Sequence, residues 1–244
     1  MTRARSSSLA STSRAKAGTR APRLAASISL LRDHYGRMAL LSPTDPFELL
    51  LWEYAAYLTD DADRAAAFAL LRKRVGTAPK EIAAAPPEVL DAVCRAGGAI
   101  AFRVRAQRMH DVAVRVLERF DSDLAPVLKR PYLEARKVLK TFPAIGPPGA
   151  DKILLLTGAR AILALDSNAL RVLLRLGYGV EHRSYGASYA SAQKAATAEL
   201  ESSIKSMREA SALLRRHGQV VCRRIDPHCP VCPLRETCAF ARVR

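Results

Sequence analysis

Apolar residues recur at spacings of three and four from about residue 24 onward, which is typical of helices that bury one face. The segment 105–120 shows the pattern best, with Arg105 and other charged residues placed away from the apolar stripe. That stripe consists of Ala106, Met109, Val112, Val116, Leu117 and Phe120. No segment alternates convincingly between apolar and polar residues, as a half-buried strand would. The pattern therefore predicts an all-α fold.

Glycine and proline clusters divide this pattern into segments that suit helices of roughly ten to fifteen residues. The expected breaks fall at 42–46, 76–79, 85–87, 97–98, 125–126, 143–149, 177–186 and 218. Residues 178–191, which are rich in tyrosine, glycine and serine, are expected to form the longest loop of the folded part.

Composition points to a folded protein with a polyanionic partner. The chain has 244 residues, of which 49% are hydrophobic, so it can bury a substantial core. Lys and Arg number 39 against 23 acidic residues, which gives a net charge of +16. Nucleic acid is the default partner for such a surface. A membrane partner is not expected, because the sequence contains no apolar run that spans a bilayer and no lysine-rich amphipathic helix with a free apolar face.

The basic charge is concentrated at the N-terminus, since residues 1–32 contain no acidic residue. Residues 1–23 are expected to form a disordered basic tail. Such a tail suits a basic arm on DNA, an organelle-targeting peptide or a solvated extension. The expected location is accordingly the cytoplasm or nucleoid of a bacterium, or an organelle or nucleus if the tail is a targeting peptide.

Four of the five cysteines lie near the C-terminus, with six, two and five residues between successive members. They are Cys222, Cys229, Cys232 and Cys238. Four thiolates so close in sequence can hold a [4Fe-4S] cluster or a structural zinc ion, and two disulfides are the competing interpretation. The arrangement favours the iron-sulfur cluster, because zinc ribbons usually carry two close cysteine pairs and only Cys229 and Cys232 form one here. The remaining cysteine, Cys94, is expected to be a small core residue.

Four segments together carry a family resemblance. Residues 142–153 suit a helix, a tight turn and a second helix, with Gly146 and Gly149 in the turn. The other three segments are 46–50, Leu165-Asp166-Ser167-Asn168, and 217–219 leading into the cysteines. From about residue 26 to its end, the chain resembles the helix-hairpin-helix DNA glycosylase superfamily, in the branch of endonuclease III and MutY.

The resemblance implies two helical lobes around a DNA-binding cleft. A six-helix barrel lobe would span 45–158, with the helix-hairpin-helix at 136–158, and an iron-sulfur lobe would combine 24–44 with 159–244. The implied cofactor is a [4Fe-4S] cluster, and the implied partner is double-stranded DNA with a damaged or mismatched base, bound by a monomer. The residues implied to bind DNA are Ile145, Gly146, Gly149, Lys152, Arg223 and Arg224.

The resemblance also implies a catalytic set. Asp166 would stabilise the positively charged sugar or add to it covalently, Asn168 would orient Asp166, and Glu53 would protonate the departing base. Pro148 stands where bifunctional relatives carry the Schiff-base lysine, so the chain is expected to be monofunctional, with AP lyase activity absent or weak. Simpler roles compete: Asp166 suits a helix N-cap, and Glu53 suits a hydrogen-bonded structural acid.

Other departures from the family leave two alternatives open. The position of the family's wedge glutamine, which fills the gap left by the flipped base, is occupied by Leu58, beside Tyr57; apolar wedges occur in DNA-bending proteins, whereas two apolar residues on a helix can simply be packed. One alternative is a catalytically degenerate paralogue that binds DNA without cutting it. The other is a bifunctional enzyme that uses another amine. Lys152, one helical turn beyond Pro148, is better explained as a solvated or phosphate-facing lysine.

Overall fold

The structure is a computed structural model that describes residues 24–39 and 41–243, so the predicted basic tail at 1–23 lies outside the described residues. Within the described part every regular element is helical, which confirms the all-α prediction. The α-helices are α1 Leu24–Tyr35, α2 Pro46–Ala55, α3 Asp61–Arg74, α4 Pro79–Ala83, α5 Pro87–Ala96, α6 Phe102–Phe120, α7 Ala125–Lys129, α8 Tyr132–Leu139, α9 Pro147–Leu156, α10 Ser167–Leu176, α11 Tyr185–Thr197, α12 Ile204–Val220 and α13 Ala239–Arg242. Short 3₁₀ helices lie at Cys229–Val231 and Arg235–Thr237.

The buried apolar side chains form two separate cores. The first core is built by helices α2 to α9, with Leu50, Met109 and Ile153 fully buried. The second core joins α1 to helices α10 to α12 and extends to Leu234 and Cys238. The lobe boundary between 158 and 159 stays a prediction, because Leu155 of α9 belongs to the second core.

Local sequence signals explain where the helices nearest the cleft begin. Asp45 caps α2 by accepting hydrogen bonds from the backbone N–H groups of Phe47 and Glu48, both at 2.9 Å. Pro147 and Pro148 occupy the first turn of α9. The N–H group that proline lacks would have no partner within the helix at these positions, so proline costs nothing there. Helix α8, the turn and α9 thus form the expected hairpin. No helix within residues 24–39 and 41–243 is both long and apolar enough to cross a lipid bilayer.

One predicted break and the end of one predicted loop are wrong because tertiary packing overrides the local signal. Helix α12 continues through Gly218, where a Cβ atom would lie only 2.6 Å from the backbone oxygen of Asn168. Glycine there permits a close approach of α12 to the start of α10 rather than ending the helix. The loop predicted at 178–191 stops at residue 184, since α11 gains burial of Tyr189 and Ala192 in the second core.

Arg105 was predicted to lie off the apolar stripe of α6, but only 4% of it is exposed. Its guanidinium donates hydrogen bonds to the backbone oxygens of Ala55 at 2.8 Å, Cys94 at 2.6 Å and Gly98. These carbonyls lie at the C-terminal ends of α2 and α5, where helices leave acceptors unsatisfied. The buried arginine therefore fixes the chain as it leaves α2. Its spacing of four from Met109 is the sequence signal that it shares the buried stripe.

Candidate functional site

An open cavity lies between the two cores, and both predicted catalytic carboxylates line it. Helix α2 of the first core contributes Glu53, and the start of α10 in the second core contributes Asp166. Lys152, Asn168, Arg215 and Leu58 also line this cavity. Residues that are far apart in sequence thus meet at one site.

Asp166 has both of its carboxylate oxygens engaged. It is the N-cap of α10, and Oδ1 accepts a hydrogen bond of 2.8 Å from the backbone N–H of Ala169. Oδ2 accepts from Nδ2 of Asn168 at 3.3 Å and from Nη1 of Arg215. Asp166 can therefore cap α10 and face the cavity at the same time, because the cap uses Oδ1 and the side chains of the cavity use Oδ2.

Glu53 forms an ion pair inside the cavity, with Oε1 2.5 Å from Nζ of Lys152. Burial acts to raise the pKa of this carboxyl, but the positive charges of Lys152, Arg64 and Arg215 outweigh burial and lower it. Glu53 is therefore a carboxylate at neutral pH in the free protein. A role as general acid requires a change in this ion pair when a base enters.

Lys152 is not the fully solvated lysine that one of the two expectations gave, while a contact with phosphate stays a prediction. Its side chain is 30% exposed and lies on the cavity side of α9, where it contacts Glu53. The hairpin residue Ile145 is only 5% exposed and packs into the first core. A Cβ on Gly149 would lie 3.3 Å from Cγ2 of Ile145, so glycine allows tight packing within the turn. Contacts of these residues with DNA stay a prediction, and for Ile145 they would have to come from the backbone.

Arg215 was not singled out from the sequence, yet it is central to the site. Its Nη2 lies 2.5 Å from Oδ1 of Asp61, and its Nε lies 3.3 Å from Oδ2 of the same residue. Its Nη1 also binds Asp166. Burial acts to lower the pKa of Arg215, but its contacts with the two carboxylates outweigh burial and raise it. No local signal in α12 could have identified it, because Asp61 is 154 positions away.

The predicted wedge residues lie in a loop rather than on a core helix. Tyr57 and Leu58 follow the end of α2 and are 50% and 75% exposed. Leu58 has a φ angle of 52°, which is unfavourable for an L-residue. The backbone N–H of Tyr57 donates to the oxygen of Gly97 at 3.1 Å. The structure thus corrects the alternative in which both side chains are packed: they project at the mouth of the cavity.

The four C-terminal cysteines line one cavity beside α10 and α12. All of them are free, so the alternative of two disulfides is wrong. Arg175 donates to Sγ of Cys222 at 3.3 Å, and Nε2 of His217 lies 3.5 Å from Sγ of Cys232. Among the described residues, no three His, Cys, Asp or Glu side chains come close enough together to hold a single metal ion.

Burial controls the protonation of these groups in the metal-free protein. It raises the pKa of Cys232 to about 11 and lowers the pKa of His217 to about 4. Burial also raises the pKa of Cys222, although Arg175 opposes it. A bound metal centre would reverse the shifts on the cysteines, because cationic metal deprotonates a coordinating thiol outright. Four sulfurs around one cavity suit a cluster that takes one thiolate per iron.

The basic residues of the cysteine segment differ in their contacts. Arg224 is exposed, and its backbone oxygen accepts a hydrogen bond from Arg175. Arg223 is half-buried, and its guanidinium contacts His228 and lies 3.5 Å from the carboxylate of Asp226. Arg224 is therefore the more available of the two for an external anion, and DNA binding by both stays a prediction.

No family model matches the chain. Two curated proteins are similar to it in sequence. The adenine DNA glycosylase of Mycolicibacterium smegmatis is 29% identical over 162 residues, which cover 66% of this chain and 50% of that protein. Endonuclease III of Thermotoga maritima is 26% identical over 201 residues, which cover 82% of this chain and 86% of that protein. The chain thus spans about half the length of the first relative.

Solved structures share the architecture at lower sequence identity. A trapped covalent intermediate of endonuclease III with DNA has a TM-score of 0.72 and 19% identity, covering 91% of this chain and 97% of that chain. A thermostable thymine-DNA glycosylase has the same TM-score with 16% identity, covering 91% and 98%. These likenesses confirm the expected two-lobed helix-hairpin-helix fold.

Proposed function

We propose that this chain, a member of the endonuclease III and MutY branch of the helix-hairpin-helix DNA glycosylase superfamily, is a base-excision-repair DNA N-glycosylase. One observation carries the proposal: Glu53 and Asp166, from different cores, line the same cavity beside the exposed side chain of Leu58. A base within a duplex is unreachable, so the enzyme has to rotate it into such a cavity. Leu58 and Tyr57 then fill the space that the base leaves.

Asp166 stabilises the positive charge that develops on the sugar as the glycosidic bond breaks. Its orientation is set by the backbone N–H of Ala169 and by Asn168. Asn168 is in turn held by Nη2 of Arg171, at 2.8 Å from Oδ1. Both of these supports come from α10 itself, and Nη1 of Arg215 on α12 adds a third.

Glu53 supplies the proton to the departing base in cooperation with Lys152. In the free protein the pair is ionic, with the proton on Nζ of Lys152. A flipped base displaces water from the cavity, and desolvation disfavours both charged forms. The proton then moves to Oε1 of Glu53 and from there to the base, while water adds to C1′ and its proton returns to the pair. This route accounts for a general acid that is ionised in the free protein.

The expected chemistry is monofunctional hydrolysis, because Pro148 has no amine with which to form a Schiff base. The competing bifunctional hypothesis is supported by Lys152, an amine that lies in the cavity. Its ion pair with Glu53 argues against it: on abasic DNA no departing base takes the proton, so Nζ stays an ammonium group, which is not a nucleophile. Borohydride reduction on abasic DNA separates the two: we expect no covalent adduct, and an adduct lost in Lys152→Met would establish the lyase.

The proposal is tested by base release from duplexes that carry uracil, a thymine or adenine mismatch, an alkylated base or an oxidised base. We expect release from at least one duplex, and a loss of about 100-fold or more in Asp166→Asn and Glu53→Gln. Glu48→Gln is the matched control, because Glu48 lies on the same helix but pairs with Arg72 away from the cavity. No release from any duplex, with wild type equal to Asp166→Asn, would favour the DNA-binding paralogue.

The proposed partner is double-stranded DNA, bound by a monomer through the hairpin turn and the cysteine segment. The net charge of +16 and the exposed Arg224 support this proposal. The proposed cofactor is a [4Fe-4S] cluster held by Cys222, Cys229, Cys232 and Cys238, which cross-links the segment and supplies a site for electron transfer when bound. Purified protein should contain iron and acid-labile sulfide, and Cys229→Ser should lose both. A colourless protein with one zinc ion would reject the cluster.

A further inference from the structure

We infer that Arg215 is a positioning residue that connects the exposed loop of Tyr57 and Leu58 to Asp166 across the cavity. The inference rests on the proposed function and deepens it. Arg215 binds both carboxylate oxygens of Asp61 on one side and Oδ2 of Asp166 on the other. Asp61 begins α3, which packs in the first core, whereas Asp166 and Arg215 belong to helices of the second core. The guanidinium thus joins the two sides of the cleft.

The connection from the loop to Asp61 is short and stiff. Asp61 lies three positions after Leu58. Between them, the side chain of Asp60 caps α3 by accepting from the backbone N–H of Asp63 at 2.8 Å. The hydroxyl of Thr59 donates to Oδ2 of Asp63, also at 2.8 Å. A displacement of Leu58 on contact with DNA is therefore passed to Asp61 rather than absorbed by the loop.

Partial burial makes the contact between Arg215 and Asp166 stronger than an ordinary surface ion pair. These side chains are 24% and 26% exposed, so water screens their interaction only partly, whereas Asp61 is 40% exposed and its contact with Arg215 is screened more. The guanidinium of Arg215 binds two carboxylates, so its position against Asp61 restricts the position of Asp166. Three of its five N–H groups donate to these acids, which leaves two for any other acceptor.

Asp166 consequently depends on the far side of the cleft for its position. Its second oxygen is shared between Asn168 and Arg215, and Arg215 is aimed by Asp61. Insertion of Leu58 into a duplex would move Asp61 and, through Arg215, set Asp166 against the sugar. This coupling would link catalytic geometry to the presence of a flipped base.

A double-mutant cycle with Asp61→Asn and Arg215→Met tests the inference. We expect each variant to lower the single-turnover rate of base release by about tenfold, the cost of a small misplacement of a catalytic group. The double variant should be no slower than Arg215→Met, since Asp61 acts only through Arg215. Affinity for a duplex with an uncleavable abasic analogue should change by less than about threefold. Arg215→Lys should stay slow, because an ammonium group cannot form the fork that binds both oxygens of Asp61.

The control pair joins α12, the helix of Arg215, to α1 and has the same two-pronged geometry. Arg32 donates through Nε and Nη2 to both oxygens of Glu209, at 2.6 and 2.8 Å, away from the cavity. Arg32→Met and Glu209→Gln should leave the rate unchanged.

Several outcomes would overturn the inference. A wild-type rate in Asp61→Asn, or independent losses that multiply in the double variant, would show that the two residues do not act together. A loss confined to affinity and its salt dependence in Arg215→Met would make Arg215 a phosphate contact. If the wild type releases no base, the proposed function fails. Thermal unfolding of the same four proteins then tests the contact between Asp61 and Arg215 alone. Changes in Tm that add in the double variant would reject this contact, and changes that do not add would support it.

Discussion

Gly218→Ala should damage both the stability and the activity of this protein through one close contact. The added Cβ would lie 2.6 Å from the backbone oxygen of Asn168 and 2.8 Å from its carbonyl carbon. Ordinary van der Waals contact begins at 3.4 Å, so the segment that follows Asp166 has to retreat by about 0.8 Å. That displacement is comparable to the misplacement of about 1 Å that can cost a catalytic site roughly 100-fold.

The stability effect combines two opposing contributions. Overpacking costs roughly 1–3 kcal/mol, whereas replacing glycine inside a helix gains up to about 1 kcal/mol. We therefore expect a net loss of roughly 0–2 kcal/mol, which lowers the Tm by up to roughly 8 °C for a chain of this size. The measurements are thermal unfolding and single-turnover base release at a temperature at which the variant remains folded.

Gly186→Ala is the matched control, because it changes another helical glycine whose added Cβ would meet nothing closer than 3.8 Å. It should keep full activity and raise the Tm slightly. A Gly218→Ala protein with the wild-type Tm and the wild-type rate would refute the reasoning, since α12 and the start of α10 would then not be in the close contact described.

Three further predictions address charge, burial and backbone strain. Lys152→Met should raise the pKa of Glu53, because burial then acts against fewer positive charges, and it should slow base release at neutral pH, because the pair loses the proton that it carries. The rate should recover toward acid pH in a profile measured from about pH 5 to 9, and a profile equal to that of the wild type would exclude the pair as the acid. Arg136→Met should cost about 3–5 kcal/mol in urea unfolding, since it leaves the fully buried carboxylate of Asp151 without its ion pair; a loss below about 1 kcal/mol would contradict this. Leu58→Gly should keep the Tm within about 3 °C, because relief of the positive φ offsets the greater entropy of glycine in the unfolded chain. Base release should fall by about tenfold or more, and an undiminished rate would show that Leu58 has no part in the mechanism.

The features that could be predicted from sequence are those with a local physical cause. The apolar spacing of α6 follows from the helical repeat, and the hairpin at 142–153 follows from the glycines and prolines in its turn. Asp166 is marked as a helix start by its own side chain, which bonds the backbone three residues on. Each of these signals lies within one or two helical turns of the residue it describes.

The charge network of the cavity had no such local signal. The partners of Arg215 lie 154 and 49 positions away, and the partner of Glu53 lies 99 positions away. The sequence identified Glu53 and Lys152 separately, but not that they neutralise each other. Which charges meet depends on how α2, α9 and α12 pack, and that is decided by the apolar faces of the helices rather than by the charges themselves.

The sequence by itself determined the helical class, the hairpin, the four cysteines and the two candidate carboxylates of this protein. Only the tertiary structure decided that α12 passes through Gly218, that Arg105 is buried and that Arg215 spans the cleft. The physical reason is the range of the interactions: helix formation is governed by neighbours within a few residues, whereas burial and ion pairing depend on distances between segments that only the packed cores define.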